Sequence, residues 1–175
     1  MGGAEPVHSV AESLGCTLTY MNSGDVFGYY ENVVICVWAE RASPESVQAL
    51  AEVSAAVAAR HRWLSSLHVV TNMAALPAAA ERREMERLVK DYEKRVVCIP
   101  LLIEGGGFWA SAMRSLYTSM HFVRASTYKT QVFTDCHALA QWFQPVHFRA
   151  SGGAFSAEKI CEVVSELVAL SEGRR

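Results

Sequence analysis

The sequence predicts an α/β fold in which a mixed β-sheet packs against helices, and two observations carry this prediction. The first is the stretch 96–123, where the apolar run VVCIPLLI, three glycines and a segment of helical apolar spacing follow one another. The second is the alternation of short β-rich runs with longer segments of helical periodicity along the chain. Together they predict the element order βββαβαβαβα, a sheet of about five or six strands, and one additional C-terminal helix.

The first part of the chain predicts three strands and a helix. The β-rich runs are separated by turn residues and are expected to pair as an antiparallel meander over 17–22, 26–31 and 33–39. The third run is apolar throughout, which predicts a strand that is covered on both faces. A helix is expected to start at Ser43-Pro44-Glu45, because serine caps, proline suits the first helical position and glutamate complements the helix dipole.

Strands and helices alternate in the second part of the chain. The β-rich runs are 67–71, 96–103 and 131–133. Helical spacing predicts a helix that begins at Pro77, a helix over 107–123, and a brief helix that Thr134 caps. Pro145 and the pair Gly152-Gly153 are helix breakers, so residues 145–155 are predicted to be a linker.

The predicted organisation has four parts. Residues 1–16 form an N-terminal segment with a short helix over 6–14, and residues 17–144 form the α/β domain. After the linker 145–155, residues 156–175 form an amphipathic helix that Ser156 caps. Its single apolar stripe either packs on the domain or pairs with a second copy of the chain, and the sequence leaves both alternatives open.

Composition and charge exclude several classes of function. The formal net charge is -2, so the chain has no overall basic excess to attract nucleic acid or an anionic membrane. No apolar run approaches the roughly 20 residues that a membrane span needs, and the N-terminus does not read as a signal peptide. The five cysteines are scattered and form no C-x-x-C pair, which is typical of a reducing compartment. We therefore expect a soluble cytoplasmic protein.

Three segments of the chain carry a resemblance to a known family. They are S-P-E at 43–45, V-V-T-N at 69–72, and V-F-T-D-C-H-A-L-A-Q-W-F at 132–143. With the order of elements over 17–144, they resemble STAS domains, in particular the branch of anti-sigma-factor antagonists (SpoIIAA-like) that is related to CRAL-TRIO lipid-transfer domains. The resemblance implies a STAS-like fold and a mostly non-catalytic protein that binds partner proteins, and in some members nucleotides or lipids.

The resemblance also points to one loop. Switching members of the family carry a phosphorylatable serine in an Asp-Ser pair after a central strand. The matching position here reads Thr71-Asn72-Met73, so the Asp-Ser pair is missing, although Thr71 has a hydroxyl group. We expect the loop from Thr71 to Leu76, together with the helix start over 105–118, to contact a partner.

The glycine run after the strand at 96–103 allows two interpretations. Gly105-Gly106-Gly107 precede a helix, where backbone N–H groups and the helix dipole could hold an anion. The alternative is a tight turn that uses the freedom of glycine at positive φ. The run is not followed by Gly-Lys-Ser/Thr and does not have G-x-G-x-x-G spacing, so a nucleotide-binding loop of either kind is not predicted.

The side chains after the glycines also allow two interpretations each. Phe108 and Trp109 either line an apolar ligand pocket or belong to the core. Arg114 forms a basic rim with Arg124 and Lys129, or all three are solvated surface charges. No histidine spacing suits a metal, and no G-x-S-x-G motif is present.

The sequence therefore predicts a non-catalytic regulatory or scaffold protein that acts through protein–protein interaction. The alternative is a carrier or sensor of a lipid or another small apolar or anionic ligand, held between the helix 107–123 and the sheet. No catalytic residue, metal site or cofactor is predicted, and a homo-oligomer through the C-terminal helix is one expected form. The candidate binding residues are Thr71, Asn72, Met73, Gly105, Gly106, Gly107, Phe108, Trp109 and Arg114.

Overall fold

A six-stranded sheet runs through the middle of the computed structural model, which describes residues 15–72, 74–122, 127–153 and 155–173. The strands are β1 (Thr17–Met21), β2 (Val26–Tyr30), β3 (Val33–Trp38), β4 (Ser65–Val70), β5 (Cys98–Ile103) and β6 (Lys129–Phe133). The helices are α1 (Pro44–Arg60), α2 (Ala79–Asp91), α3 (Gly107–Phe122), α4 (Cys136–Ser151) and α5 (Ala157–Glu172). The order of these elements along the chain is the predicted one.

The sheet is mixed, as the sequence predicts. Its strands lie side by side in chain order. The pairs β1–β2 and β2–β3 are antiparallel, and the pairs β3–β4, β4–β5 and β5–β6 are parallel. The three parallel connections advance in one direction across the sheet, and right-handed crossovers therefore bring α1, α2 and α3 to the same face. We call these three helices the first layer, and α4 and α5, which cover the opposite face, the second layer.

Strand β3 has no exposed residue, which confirms the prediction that it is covered on both faces. Val34, Cys36 and Trp38 join the core under the first layer, and the alternate positions join the core under the second layer: Val33, Ile35 and Val37. This alternation follows from the two-residue period of a strand. The chain therefore has two hydrophobic cores that share one sheet.

Helix α1 begins where the sequence predicts. Ser43 Oγ accepts a hydrogen bond from the N–H of Ser46 (3.1 Å), and Ser46 Oγ accepts one from the N–H of Ser43 (2.8 Å). Pro44 occupies the first turn beside Glu45. The far end of the helix is capped by the guanidinium of Arg95, which donates to the carbonyls of Ala58 and His61 (both 2.5 Å). A cation at this end also complements the helix dipole.

The predicted linker over 145–155 is wrong for its first seven residues, because α4 continues through Pro145 to Ser151. Its N-cap is Asp135 rather than Thr134, and Gly152 ends it in a left-handed conformation (φ 73°). An internal proline costs a helix roughly 3 kcal/mol. Here Phe143 and His147, on either side of the proline, are fully buried, and their burial holds the helix together.

Helix α5 packs on the sheet of its own chain, which decides between the two alternatives that the sequence leaves open. Four apolar side chains of α5 are buried under the sheet: Ile160, Val163, Val164 and Leu167. Near the far end of the helix, Ser171 Oγ donates to the Gly24 carbonyl in the β1–β2 turn (2.6 Å). The apolar stripe is therefore covered within the chain, and a second copy would have to use another surface.

Among the described residues, no helix combines the length and the apolar character that crossing a bilayer requires, which agrees with the prediction of no membrane span. The short helix predicted over 6–14 lies outside the described residues.

Candidate functional site

The loops that follow β4 and β5 meet at the edge of the sheet where the parallel strands end, which we call the C-terminal edge. The N–H of Thr71 donates to the carbonyl of Trp38 (3.0 Å), and that of Glu104 donates to the carbonyl of Val70 (2.9 Å). These bonds extend the ladder beyond the strands and bring the two loops together. A Cβ on Gly105 would lie 3.2 Å from the Cβ of Asn72.

Two of the three glycines have a conformational role. Gly105 (φ 81°) and Gly107 (φ 79°) are in the left-handed region, where a side chain is strained. Gly106 has no atom within 4 Å of an added Cβ. All three are exposed. The positive φ values favour the tight-turn interpretation, and they leave Gly106 as the position in the turn where a side chain fits.

The remaining candidate residues separate into three groups. Thr71 is 2% exposed, so it supports the loop, whereas Asn72 is exposed and lies on the surface. Met73 and the side chains of Phe108 and Trp109 are not among those that the structure describes. Arg114, half-buried in α3, donates to Ser111 Oγ of the same helix (3.1 Å).

Lys129, a member of the basic rim predicted near helix α3 and after it, lies far from the start of that helix. This residue is the first of β6 and lies opposite Cys98, the first of β5. Helix α3 starts beyond the other end of β5. Lys129 is therefore at the edge where the parallel strands begin, which we call the N-terminal edge, a strand length away. Arg124, the third predicted member, lies outside the described residues.

A polar group that the sequence did not single out lies on β4, facing the first layer. Trp38 Nε1 donates to His68 Nδ1 (3.0 Å), and His68 Nε2 is 2.8 Å from Ser66 Oγ. Because indole nitrogen only donates, Nδ1 accepts, and a neutral imidazole then carries its proton on Nε2 and donates to Ser66. His68 is thus no base for the Ser66 hydroxyl. The hydrogen bonds from Trp38 and to Ser66 fix the orientation of the His68 imidazole, which is partly buried beneath α1, α2 and α3.

A second polar network is buried at the N-terminal edge and resembles a Ser–His–Asn triad. Ser65 Oγ is 2.8 Å from His147 Nδ1, and His147 Nε2 is 3.0 Å from Asn32 Oδ1. Asn32 donates through its own Nδ2 to the Trp63 carbonyl (3.1 Å). The carbonyl oxygen of the amide therefore faces His147, which donates from Nε2 and accepts the Ser65 hydroxyl proton at Nδ1.

This second network is a structural element rather than a catalytic one. Ser65 and His147 are 0% exposed and Asn32 is 6% exposed, so no substrate reaches the hydroxyl. The ring of Phe143 stacks on the imidazole with centroids 5.1 Å apart, and the ring of Phe155 packs against it at a tilt with centroids 5.3 Å apart. The network ties α4 to the starts of β3 and β4, and burial lowers the pKa of His147 to about 4.

One buried carboxylate stands at the C-terminal edge beside α1. Asp25 is 1% exposed, and its Oδ1 accepts hydrogen bonds from the N–H groups of Ala39 (3.0 Å) and Glu40 (3.3 Å). Its Oδ2 has no hydrogen-bond partner among the described residues. Burial raises the pKa of the Asp25 carboxyl, and the two backbone donors oppose that rise. Asp25 fixes the β3–α1 connection at a cost in desolvation.

Within the described residues, no group of three or more His, Cys, Asp or Glu side chains is arranged to hold a metal ion. The chain matches no model of a known protein family, and a search of curated proteins gives no match.

The buried histidine makes stability depend on pH. An unfolded chain binds a proton at His147 below about pH 6.5, whereas the folded chain does so only near its pKa of about 4. The free energy of unfolding should therefore fall as the pH falls from 6.5 towards 4, by up to roughly 1.4 kcal/mol per pH unit. Urea unfolding of wild type and His147→Gln across this range measures the difference.

The free energy of unfolding should depend less steeply on pH in His147→Gln than in wild type. The variant should nevertheless be less stable than wild type at every pH. The exposed His137→Gln is the matched control and should keep the wild-type slope. Equal slopes for wild type and His147→Gln would contradict a depressed pKa at this histidine.

Substitutions at Asp25 should separate its hydrogen bonds from its charge. In Asp25→Asn the amide oxygen keeps both backbone donors and removes the buried charge, so the variant should be at least as stable as wild type at pH 8. In Asp25→Ala the Ala39 N–H is left buried and unpaired, which should lower the free energy of unfolding by roughly 1–3 kcal/mol. Urea unfolding is the measurement, and equal losses in both variants would show that the ionised carboxylate itself stabilises the fold.

Proposed function

We propose that this protein is a non-catalytic binding protein whose protein partner docks at the C-terminal edge, on the loops 71–76 and 105–107. The observation that carries the proposal is the meeting of these two loops, where the exposed Asn72 lies against the exposed Gly105. In the same loop as Asn72, Leu76 is 43% exposed, which is high for a large apolar side chain. Exposed loops held on a rigid scaffold are the usual place for recognition.

The position of the surface supports the proposal. The surface lies beyond the carboxyl ends of the parallel strands, where connecting loops rather than strands face the solvent. The surface has one exposed apolar side chain, Leu76, the amide of Asn72 and an exposed glycine turn, which suit contact with a protein surface better than the enclosure of a small molecule. Ser66 has no free base beside it, and Ser65 has no access, so neither described Ser–His pair supports catalysis.

The resemblance to STAS domains over residues 17–144 supports the same proposal, because most such domains bind partner proteins. All five cysteines are unpaired, which supports a location in a reducing compartment such as the cytoplasm. The proposal does not include a phosphorylation switch, because the Asp-Ser pair of the switching members is missing. Recognition of a partner at the C-terminal edge needs only the surface of the two loops.

A photo-reactive amino acid placed at Leu76 should cross-link to one discrete protein in an extract of the source cells. Gly106→Arg should abolish that adduct without unfolding the chain, because Gly106 has open space around it and needs no positive φ. The same photo-reactive group at Gln48, which is exposed on α1, is the control. Mass spectrometry of the adducts is the measurement, and the same adduct from both positions, or none from Leu76, would contradict the proposal.

A second candidate is a carrier of a small ligand between the first layer and the sheet. The observation that favours it is the half-buried His68, which places a polar ring with an oriented N–H in an otherwise apolar face. From α3, Tyr117 joins the same core, and burial raises the pKa of its phenol. An oriented polar group inside an apolar layer is the usual arrangement of a small-molecule site.

The opposite face of the sheet is less suited to a ligand. A cavity there has room for about one water molecule, which is too small for a lipid. Its lining is Tyr30, Val33, Ile35, Leu67, Phe155, Lys159, Ile160 and Val163.

The intact mass of gently purified protein tests the carrier. Native spray should give a mass above a whole multiple of the chain mass, and the excess should disappear under denaturing conditions. His68→Leu should lower the occupied fraction, whereas the exposed His137→Leu should leave it unchanged. A native mass equal to a whole multiple of the chain mass would exclude the carrier.

A further inference from the structure

The N-terminal edge of the sheet collects positive charge in a chain whose net charge is -2. Eight of the chain's 16 lysines and arginines lie there: Arg60, Arg62, Lys90, Lys94, Arg95, Lys129, Arg149 and Lys159. Four of its 18 acidic residues share that edge: Glu31, Asp91, Glu93 and Glu158. The C-terminal edge has the opposite balance, with Arg41 and Arg82 beside seven acids: Asp25, Glu40, Glu45, Glu81, Glu104, Asp135 and Glu172.

Six of these cations are exposed and form what we call the basic edge: Arg60, Arg62, Lys90, Lys94, Lys129 and Arg149. They come from both helical layers and from the sheet, because Arg60 ends α1, Lys129 begins β6 and Arg149 lies in the last turn of α4. From β3 to β6 the edge is about 14 Å wide, at roughly 4.8 Å per strand. The positive charge is therefore spread over an area rather than along a line.

Two aromatic residues, Trp63 and Phe148, lie at this edge. Asn32 links their segments of the chain, because its Nδ2 donates to the Trp63 carbonyl and its Oδ1 accepts from His147, the residue before Phe148. Phe148 is 52% exposed, the largest exposed fraction among the large apolar side chains that the structure describes. The guanidinium of Arg62 lies over the Trp63 ring, 5.3 Å from its centroid. Aromatic rings thus stand among the cations.

Helix dipoles explain part of this pattern but not all of it. Helices α1 and α4 end at the N-terminal edge, and cations in their last turns offset the partial negative charge of the helix ends. That accounts for Arg60 and Arg149. It does not account for Phe148, whose exposure costs free energy in water, or for Lys129, which begins a strand.

We infer that the basic edge docks the protein on an anionic lipid surface, with Phe148 inserted at the level of the headgroups. A plane of negative charge matches cations that are spread over three layers, whereas a nucleic acid strand matches a line of them. Aromatic rings favour the interface between water and hydrocarbon. In this orientation the strands run away from the membrane surface. The C-terminal edge then faces away from the membrane and is available to a protein partner.

Sedimentation with vesicles tests the inference with the full chain. Wild type should sediment with phosphatidylcholine vesicles that contain phosphatidylserine, much less with phosphatidylcholine alone, and less at high salt. Arg149→Gln should lower the partition coefficient about five-fold, since a basic residue near an anionic surface contributes about 1 kcal/mol. Phe148→Ser should lower it by a similar factor through lost apolar contact.

Each variant has a matched control at the other edge. Arg41→Gln makes the same change in net charge at an exposed position, and Leu76→Ser removes the other large exposed apolar side chain. Both controls should sediment as wild type does. The inference is overturned if wild type ignores anionic vesicles, if Arg41→Gln weakens binding as much as Arg149→Gln, or if the chain binds a labelled single-stranded oligonucleotide and no vesicle.

Discussion

The double-sided burial of β3 is the constraint on which the rest of the structure depends. All six residues of this strand are buried, so each face of the sheet must be covered by a helical layer. The right-handed crossovers place α1, α2 and α3 on one face, and among the described elements α4 and α5 cover the other. The four buried apolar side chains of α5 contribute on the order of 6–12 kcal/mol by area, which is comparable with the whole stability of a domain. The last helix is therefore part of the fold.

The buried polar side chains of His147 and Asp25 stabilise opposite edges of the sheet. At the N-terminal edge, His147 joins α4 to β4 and to the turn before β3. Both nitrogens of its imidazole ring are hydrogen-bonded. At the C-terminal edge, Asp25 holds the β3–α1 connection, and its other carboxylate oxygen finds no hydrogen-bond partner in the described part of the chain. Both groups shape the loops at their edge without reaching the surface. The surfaces that face solvent are formed by other residues, Asn72 and Leu76 at one edge and Phe148 and Arg149 at the other.

Local patterns in the sequence predicted most of the elements, and they failed where long-range burial outweighed a local signal. The capping residues Ser43 and Pro44 predicted the start of α1 correctly, because capping is decided within one turn. Pro145 reads as a breaker for the same local reason, yet α4 continues past it because Phe143 and His147 are buried against β-strands far away in the chain. At the candidate site, the sequence pointed to the loops 71–76 and 105–107. It missed the polar pairs of Ser66 with His68 and Ser65 with His147, because their members become neighbours through strand alternation or helix docking.

The sequence by itself determined the α/β class, the alternation of elements, the apolar character of β3 and the glycines of the β5–α3 turn, since each follows from residues that are near one another in the chain. Only the tertiary structure decided that α5 covers the second face, that Asn72 lies against Gly105, and that positive charge gathers at one edge and negative charge at the other. These are relations between segments far apart in sequence. They depend on strand order and crossover direction, which no local spacing of residues encodes.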